Sequence, residues 1–246
     1  METQENELIN LPKYADIVKK CILGSTGLFM VFYGLNIKKY GSKPLYLLSI
    51  SQSIRAGLDR KHACNERYRV NSYMIFFFSI VAMVISEQTI LTVYTTDSLS
   101  KVTRNDKFRI GIVTSSLVVT ISWIVALGIT IDSEGDKWHK IPATLFFLIS
   151  SVYRLIFLSS KTDNKISKFK KERLWTTGVA FICLIYGALT TSKEDGSDQL
   201  NNCNKLIKKP IPESLLGFGE ITLLILLLWD RVDLCDKLIA YHSKKM

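Results

Sequence analysis

Apolar residues in this chain are gathered into six long runs, 21 to 37, 73 to 94, 110 to 131, 141 to 158, 174 to 189 and 214 to 229, separated by charged segments. Each run is roughly 16 to 23 residues, and a helix needs about 20 apolar residues to cross a hydrocarbon core of about 30 Å. Stretches such as Val81-Ala82-Met83-Val84-Ile85 and Leu223-Leu224-Ile225-Leu226-Leu227-Leu228 are apolar on every face. They lack the period-two alternation of a membrane β-strand. A helix satisfies its own backbone hydrogen bonds in lipid, so the pattern predicts an all-α, six-span bundle filling 1–246 as one membrane domain. The first run has a basic approach in Lys13, Lys19 and Lys20, but no small-x-small cleavage site follows it, so it is read as an uncleaved span.

Composition agrees with this picture. The 246 residues are 48% hydrophobic, 22% charged and 11% aromatic, with a net charge of +10. That much apolar surface excludes a disordered chain. The basic residues lie between the runs without a groove of interleaved aromatics or a zinc-knuckle spacing, which argues against a nucleic-acid partner. With both termini on the cytoplasmic side, inner segments carry 17 Lys and Arg against 14 on the outer loops. The short loop 159–173 holds six of them, which sets the orientation N and C inside. Cys64 and Cys203 then fall on the same non-cytoplasmic side, where they are either bridged or two free thiols.

Ionisable groups inside a membrane are costly and therefore candidates for function. Glu87 lies in the second run, Arg154 in the fourth and Glu220 in the sixth. Glu87 and Arg154 share the cytoplasmic half, where they either pair or leave Arg154 to reach the headgroups with its long stem. Glu220 sits in the other half with no basic residue nearby in the neighbouring runs. The loop between the third and fourth runs packs Asp132, Glu134, Asp136 and His139 into eight residues. Carboxylates beside a histidine could hold a hard cation, act as orienter and base in acyl transfer, or be solvated loop charge. No zinc spacing, cofactor-cradling glycine loop or nucleophile elbow accompanies them. Ser49 and Ser51 in the first loop have the composition of turn or capping residues.

Several short fragments, taken in order, resemble the post-GPI-attachment-to-proteins factor 2 family, which belongs with damage-regulated autophagy modulators and yeast Sfk-type proteins. They are Tyr46-Leu47-Leu48-Ser49-Ile50-Ser51, without the family's proline; Asp132-Ser133-Glu134-Gly135-Asp136-Lys137-Trp138-His139; Phe146-Phe147 and Ser150-Ser151; Lys171-Glu172-Arg173-Leu174; Cys203; and Glu220 with Trp229-Asp230. The resemblance covers about 45 to 235. It implies a multi-pass protein of Golgi and endoplasmic reticulum membranes that takes part in fatty-acid remodelling of GPI-anchored proteins, with the anchor's lipid moiety as its partner at the lumenal leaflet. On that reading His139 is the base, Asp132 or Asp136 its orienter and Glu220 a second acid. A non-enzymatic regulator working through membrane protein partners and a small transporter lined by Glu87, Arg154 and Glu220 are the competing expectations.

Overall fold

The computed structural model describes residues 2–40, 47, 49–58, 65–95, 106–130, 136–159, 170–191 and 210–243. All of them but Leu47 and Ser49 are helical: α1 (Glu2–Tyr40), α2 (Ile50–Leu58), α3 (Asn65–Thr95), α4 (Asp106–Thr130), α5 (Asp136–Ser159), α6 (Lys170–Thr191) and α7 (Pro210–Ser243). Each of the six apolar runs lies, over its described residues, on one of the six long helices. Among the described residues three helices are long and apolar enough to cross a membrane, over Arg69–Gln88, Lys171–Thr190 and Ile211–Ala240. Shorter apolar helical stretches cover Ser116–Ile129 and Ile141–Val152.

α7 organises the bundle, packing closely along α6 on one side and α1 on another. α3 lies between α1 and α4, and α5 lies between α4 and α6. Large apolar side chains fill the centre, among them Ile22, Phe29, Ile75, Met83, Leu127 and Leu224. Trp123 of α4 stacks at 4.5 Å between ring centres on Phe146 of α5, and Phe147 meets both rings edge-on. Aromatic pairs of this geometry contribute about 0.5–1.5 kcal/mol beyond the area they bury.

The outer faces are equally apolar. Trp175, Ile182 and Leu189 of α6 point away from the bundle, and only 17% of its apolar stretch is buried. In water such a surface would be an association site; against lipid it is the solvated face.

α2 departs from the sequence pattern, in which 38–72 is one of the charged segments that a hydrocarbon core would not admit. It is nonetheless a nine-residue amphipathic helix that packs mainly on α3, with smaller contacts to α1, α4 and α7. Ile50 and Ile54, one turn apart, are its fully buried apolar side chains, with Ser53 buried between them. Ser49 and Gln52 start it with a capping box: the Gln52 N–H donates to Ser49 Oγ at 3.1 Å and the Ser49 N–H to Gln52 Oε1 at 2.9 Å. Ser49 is thus a capping residue, as its composition suggested.

Candidate functional site at the α2 end

Two polar centres lie at opposite ends of α7. The first is the junction of α1, α2, α3 and α7. Glu220 Oε2 accepts the Ile50 N–H at 2.7 Å, so a carboxylate of α7 satisfies one of the donors that the start of α2 leaves without a helical partner. Ser214, nearly two turns earlier on α7, accepts the Leu47 N–H at 3.3 Å. From the other side Asn36 Nδ2 and Ser72 Oγ both donate to Ser53 O, at 3.1 and 2.6 Å. These bonds fix α2 across the end of the bundle. Asn36 Oδ1, Ser53 Oγ and Asn71 Nδ2 are buried here without a protein partner.

His139 stands near the same end, one turn into α5, with Nδ1 2.8 Å from Ala126 O near the end of α4. A carbonyl can only accept, so Nδ1 donates the hydrogen, and in the neutral ring the lone pair is then on Nε2. Asp136 is the first residue of α5. Asp132 and Glu134 fall outside the described residues, as do Cys64 and Cys203, so neither the carboxylate partner of His139 nor the bridge is placed. Among the described residues no group of three His, Cys, Asp or Glu side chains is arranged to hold a metal ion, and Cys21, Cys183 and Cys235 are in no disulfide.

The second centre is a chain of charges at the other end. By helix rise it lies about 16 Å along α7 from Glu220. Arg154, fully buried, pairs with Asp230 of α7 and donates Nε–H to Thr177 Oγ1 at 3.3 Å. Arg173 of α6 bridges Asp230 at 3.5 Å and Asp233, and its guanidinium lies 5.5 Å over the Trp229 ring. Arg154 therefore neither pairs with Glu87 nor reaches for headgroups. Glu87 instead accepts from Ser116 and, at 3.3 Å, from Thr120, both on α4, while Arg231 Nη2 donates to Ser116 Oγ at 3.1 Å. One hydroxyl thus couples an anion on α3 to a cation on α7. Beyond this cluster Lys19 of α1 pairs with Asp236, whose carboxylate raises the ammonium's pKa above the ordinary lysine value.

The sequence put Glu87 and Arg154 together because both lie in the same half of the membrane. It singled out Asp230 only as part of the Trp229-Asp230 fragment, without its cationic partners, and did not single out Arg231. The signal was available: Arg231 and Asp230 adjoin Trp229, and no helix stop intervenes before residue 243.

Replacing Ser116 by Ala is expected to cost about 1.5–3 kcal/mol, because both Glu87 and Arg231 lose a charge-assisted hydrogen bond while remaining buried. Ser116→Thr, which keeps the hydroxyl, should recover most of that. Unfolding of the purified protein titrated with dodecyl sulfate measures both.

Comparison with protein-family models, with curated proteins and with solved structures finds no match to this chain.

Proposed function

We propose that the chain is a six-span membrane protein that acts in fatty-acid remodelling of GPI-anchored proteins. On this reading both termini are cytoplasmic, the α2 end faces the lumen of the Golgi or endoplasmic reticulum, and the charged network of Arg154 and Asp230 lies at the cytoplasmic side. The observation that carries it is the pairing of distant fragments. Ile50 of the Tyr46–Ser51 stretch and Glu220 are 170 residues apart and share a hydrogen bond. Arg173 of the Lys171–Leu174 fragment meets Trp229 and Asp230 at the other end. Fragments that carry the family resemblance one by one are therefore in contact two by two, as parts of one working arrangement would be.

The chemistry of the α2 end suits an acyl transfer at a membrane surface. His139 would take the proton from a lipid hydroxyl as that oxygen attacks the carbonyl of an acyl thioester or ester, and would return it to the thiol or alcohol released when the donor's C–S or C–O bond breaks. Glu220 and the polar groups around α2 would receive the head of the lipid. The charges of Arg154, Asp230, Arg173 and Asp233 cross-link helices, which supports a structural role for them over a transport path.

Deleting the gene in a cell line is expected to lower surface GPI-anchored proteins by flow cytometry and to change the acyl chains of their anchors, with both restored by the wild-type chain. His139→Ala should restore neither, since loss of a general base costs about 10²–10⁴ in rate. Unchanged anchors in the deletion line would reject the remodelling function. Full rescue by His139→Ala would instead make the protein a non-enzymatic regulator of that process.

A further inference from the structure

The six long helices close into a ring, each packed on the next in the order α1, α3, α4, α5, α6, α7 and back to α1. α4 and α7 stand on opposite sides of it, and among the described residues their backbones do not meet. At one end they are joined by the side-chain bond from Arg231 to Ser116. At the other end they are joined by α2, which touches α1, α3, α4 and α7. α2 also reaches into the ring. Leu47 meets Ser214 and Ile50 meets Glu220, six residues further along α7, so the chain descends about 9 Å along that helix before α2 begins.

Little apolar surface holds α2 there. Ile50 and Ile54 are its fully buried apolar side chains, and the rest of its attachment is polar. Glu220 and Ser214 accept the Ile50 and Leu47 N–H groups, and Asn36 and Ser72 donate to Ser53 O. Water can replace every one of these bonds. Docking also carries a penalty, because Asn36 Oδ1 and Ser53 Oγ are buried without a protein partner and lose the water they would have in the open. The helix itself has no need of the bundle: its capping box of Ser49 and Gln52 and the bond from the Ser53 N–H to Ser49 O lie within the segment. Few apolar contacts, replaceable bonds and stranded acceptors are the marks of an element that opens locally before the protein unfolds.

We propose that α2 is a lid on this end of the bundle. The docked arrangement is the closed state, and α2 lifts away as an intact helix, giving access from that end to the interior between α4 and α7. The lid goes beyond the remodelling function and does not depend on it.

The test is the labelling of Ser53→Cys by a water-soluble maleimide, in the full-length protein in phosphatidylcholine nanodiscs, read residue by residue from peptide masses. Ser53 has no exposed surface and its hydroxyl makes no hydrogen bond, so the substitution hides a thiol under the lid and removes no bond of α2. Cys235, equally unexposed and near the far end of α7, is the internal reference for opening of the whole bundle. The introduced thiol is expected to react at least tenfold faster than Cys235. Ser72→Ala, which takes away one of the two donors to Ser53 O, should speed it about 2- to 10-fold. Glu220→Ala, which removes the carboxylate from the Ile50 N–H, should speed it about 10- to 100-fold, with Cys235 unchanged in both variants. An introduced thiol as slow as Cys235, acceleration of both thiols together, or indifference to both substitutions would each overturn the lid. Anchor chemistry plays no part in this readout. Unchanged anchors in the deletion line would therefore reject the remodelling function and leave the lid standing, and failed labelling would do the reverse.

Discussion

Arg154→Met is expected to destabilise the protein by about 3–5 kcal/mol, the range for breaking a buried ion pair by removing one partner. The reason is what it leaves behind. Asp230, nearly buried, would keep only Arg173 at 3.5 Å, and Arg173 is already shared with Asp233. Asp230→Leu should be at least as damaging, because Arg154 would be a fully buried cation with one neutral partner, Thr177. The double variant Arg154→Met, Asp230→Leu removes both charges and fills the space with apolar atoms. It should recover most of the loss, since a well-packed apolar pair often replaces a buried ion pair at little net cost. Dodecyl sulfate unfolding of the four proteins gives the coupling energy directly. If the two single losses simply add in the double variant, Arg154 and Asp230 are not a pair.

The same residues show where the sequence was readable and where it was not. Long apolar runs are locally written, because a helix in lipid needs only its own composition, and all six fall on the long helices. α2 is not written that way. Nine residues with buried Ile50 and Ile54 make a short amphipathic pattern inside a charged segment, and its N-terminus is completed by a carboxylate 170 residues away. The spacing of Ile50, Ser53, Ile54 and Gly57 and the Ser49–Gln52 box were the available signals. At the other end, counting charges placed Glu87 and Arg154 in the same half. Which charges meet depends on the rotation of each helix about its axis, and that is set by packing. α3 turns Glu87 toward Ser116 and Thr120 of α4, and α5 turns Arg154 toward α7. Glu220 was legible as a costly intramembrane carboxylate, but Asn36 was not, lying unremarked within an apolar run.

The seam between α6 and α7 should respond to one methyl group more sharply than any other helix pair. Gly219 of α7 faces the α6 backbone so closely that a Cβ there would lie 2.7 Å from Ala180 O and from Leu184 Cβ and 2.8 Å from Leu184 N. Gly187 of α6 makes the reciprocal approach, its Cβ position being 2.7 Å from Pro212 O, Leu216 N and Leu216 Cβ. Those neighbours are backbone atoms and first side-chain carbons, so no rotamer change makes room and the helices must separate. Lipid offers little hydrophobic drive to hold two helices together, and close van der Waals approach across small residues supplies much of the attraction. Gly219→Ala is therefore expected to cost about 1–3 kcal/mol, in the range of overpacked cores, and Gly187→Ala as much. A cysteine pair introduced across the seam should cross-link more slowly in either variant. Gly178 supplies the control, because it is on the same helix with nothing within 4 Å of its Cβ position. Gly178→Ala should lie between no change and a gain of about 1 kcal/mol from helix propensity, a sign opposite to that at Gly187. Equal losses at Gly178 and Gly187 would mean that the seam owes nothing to close approach.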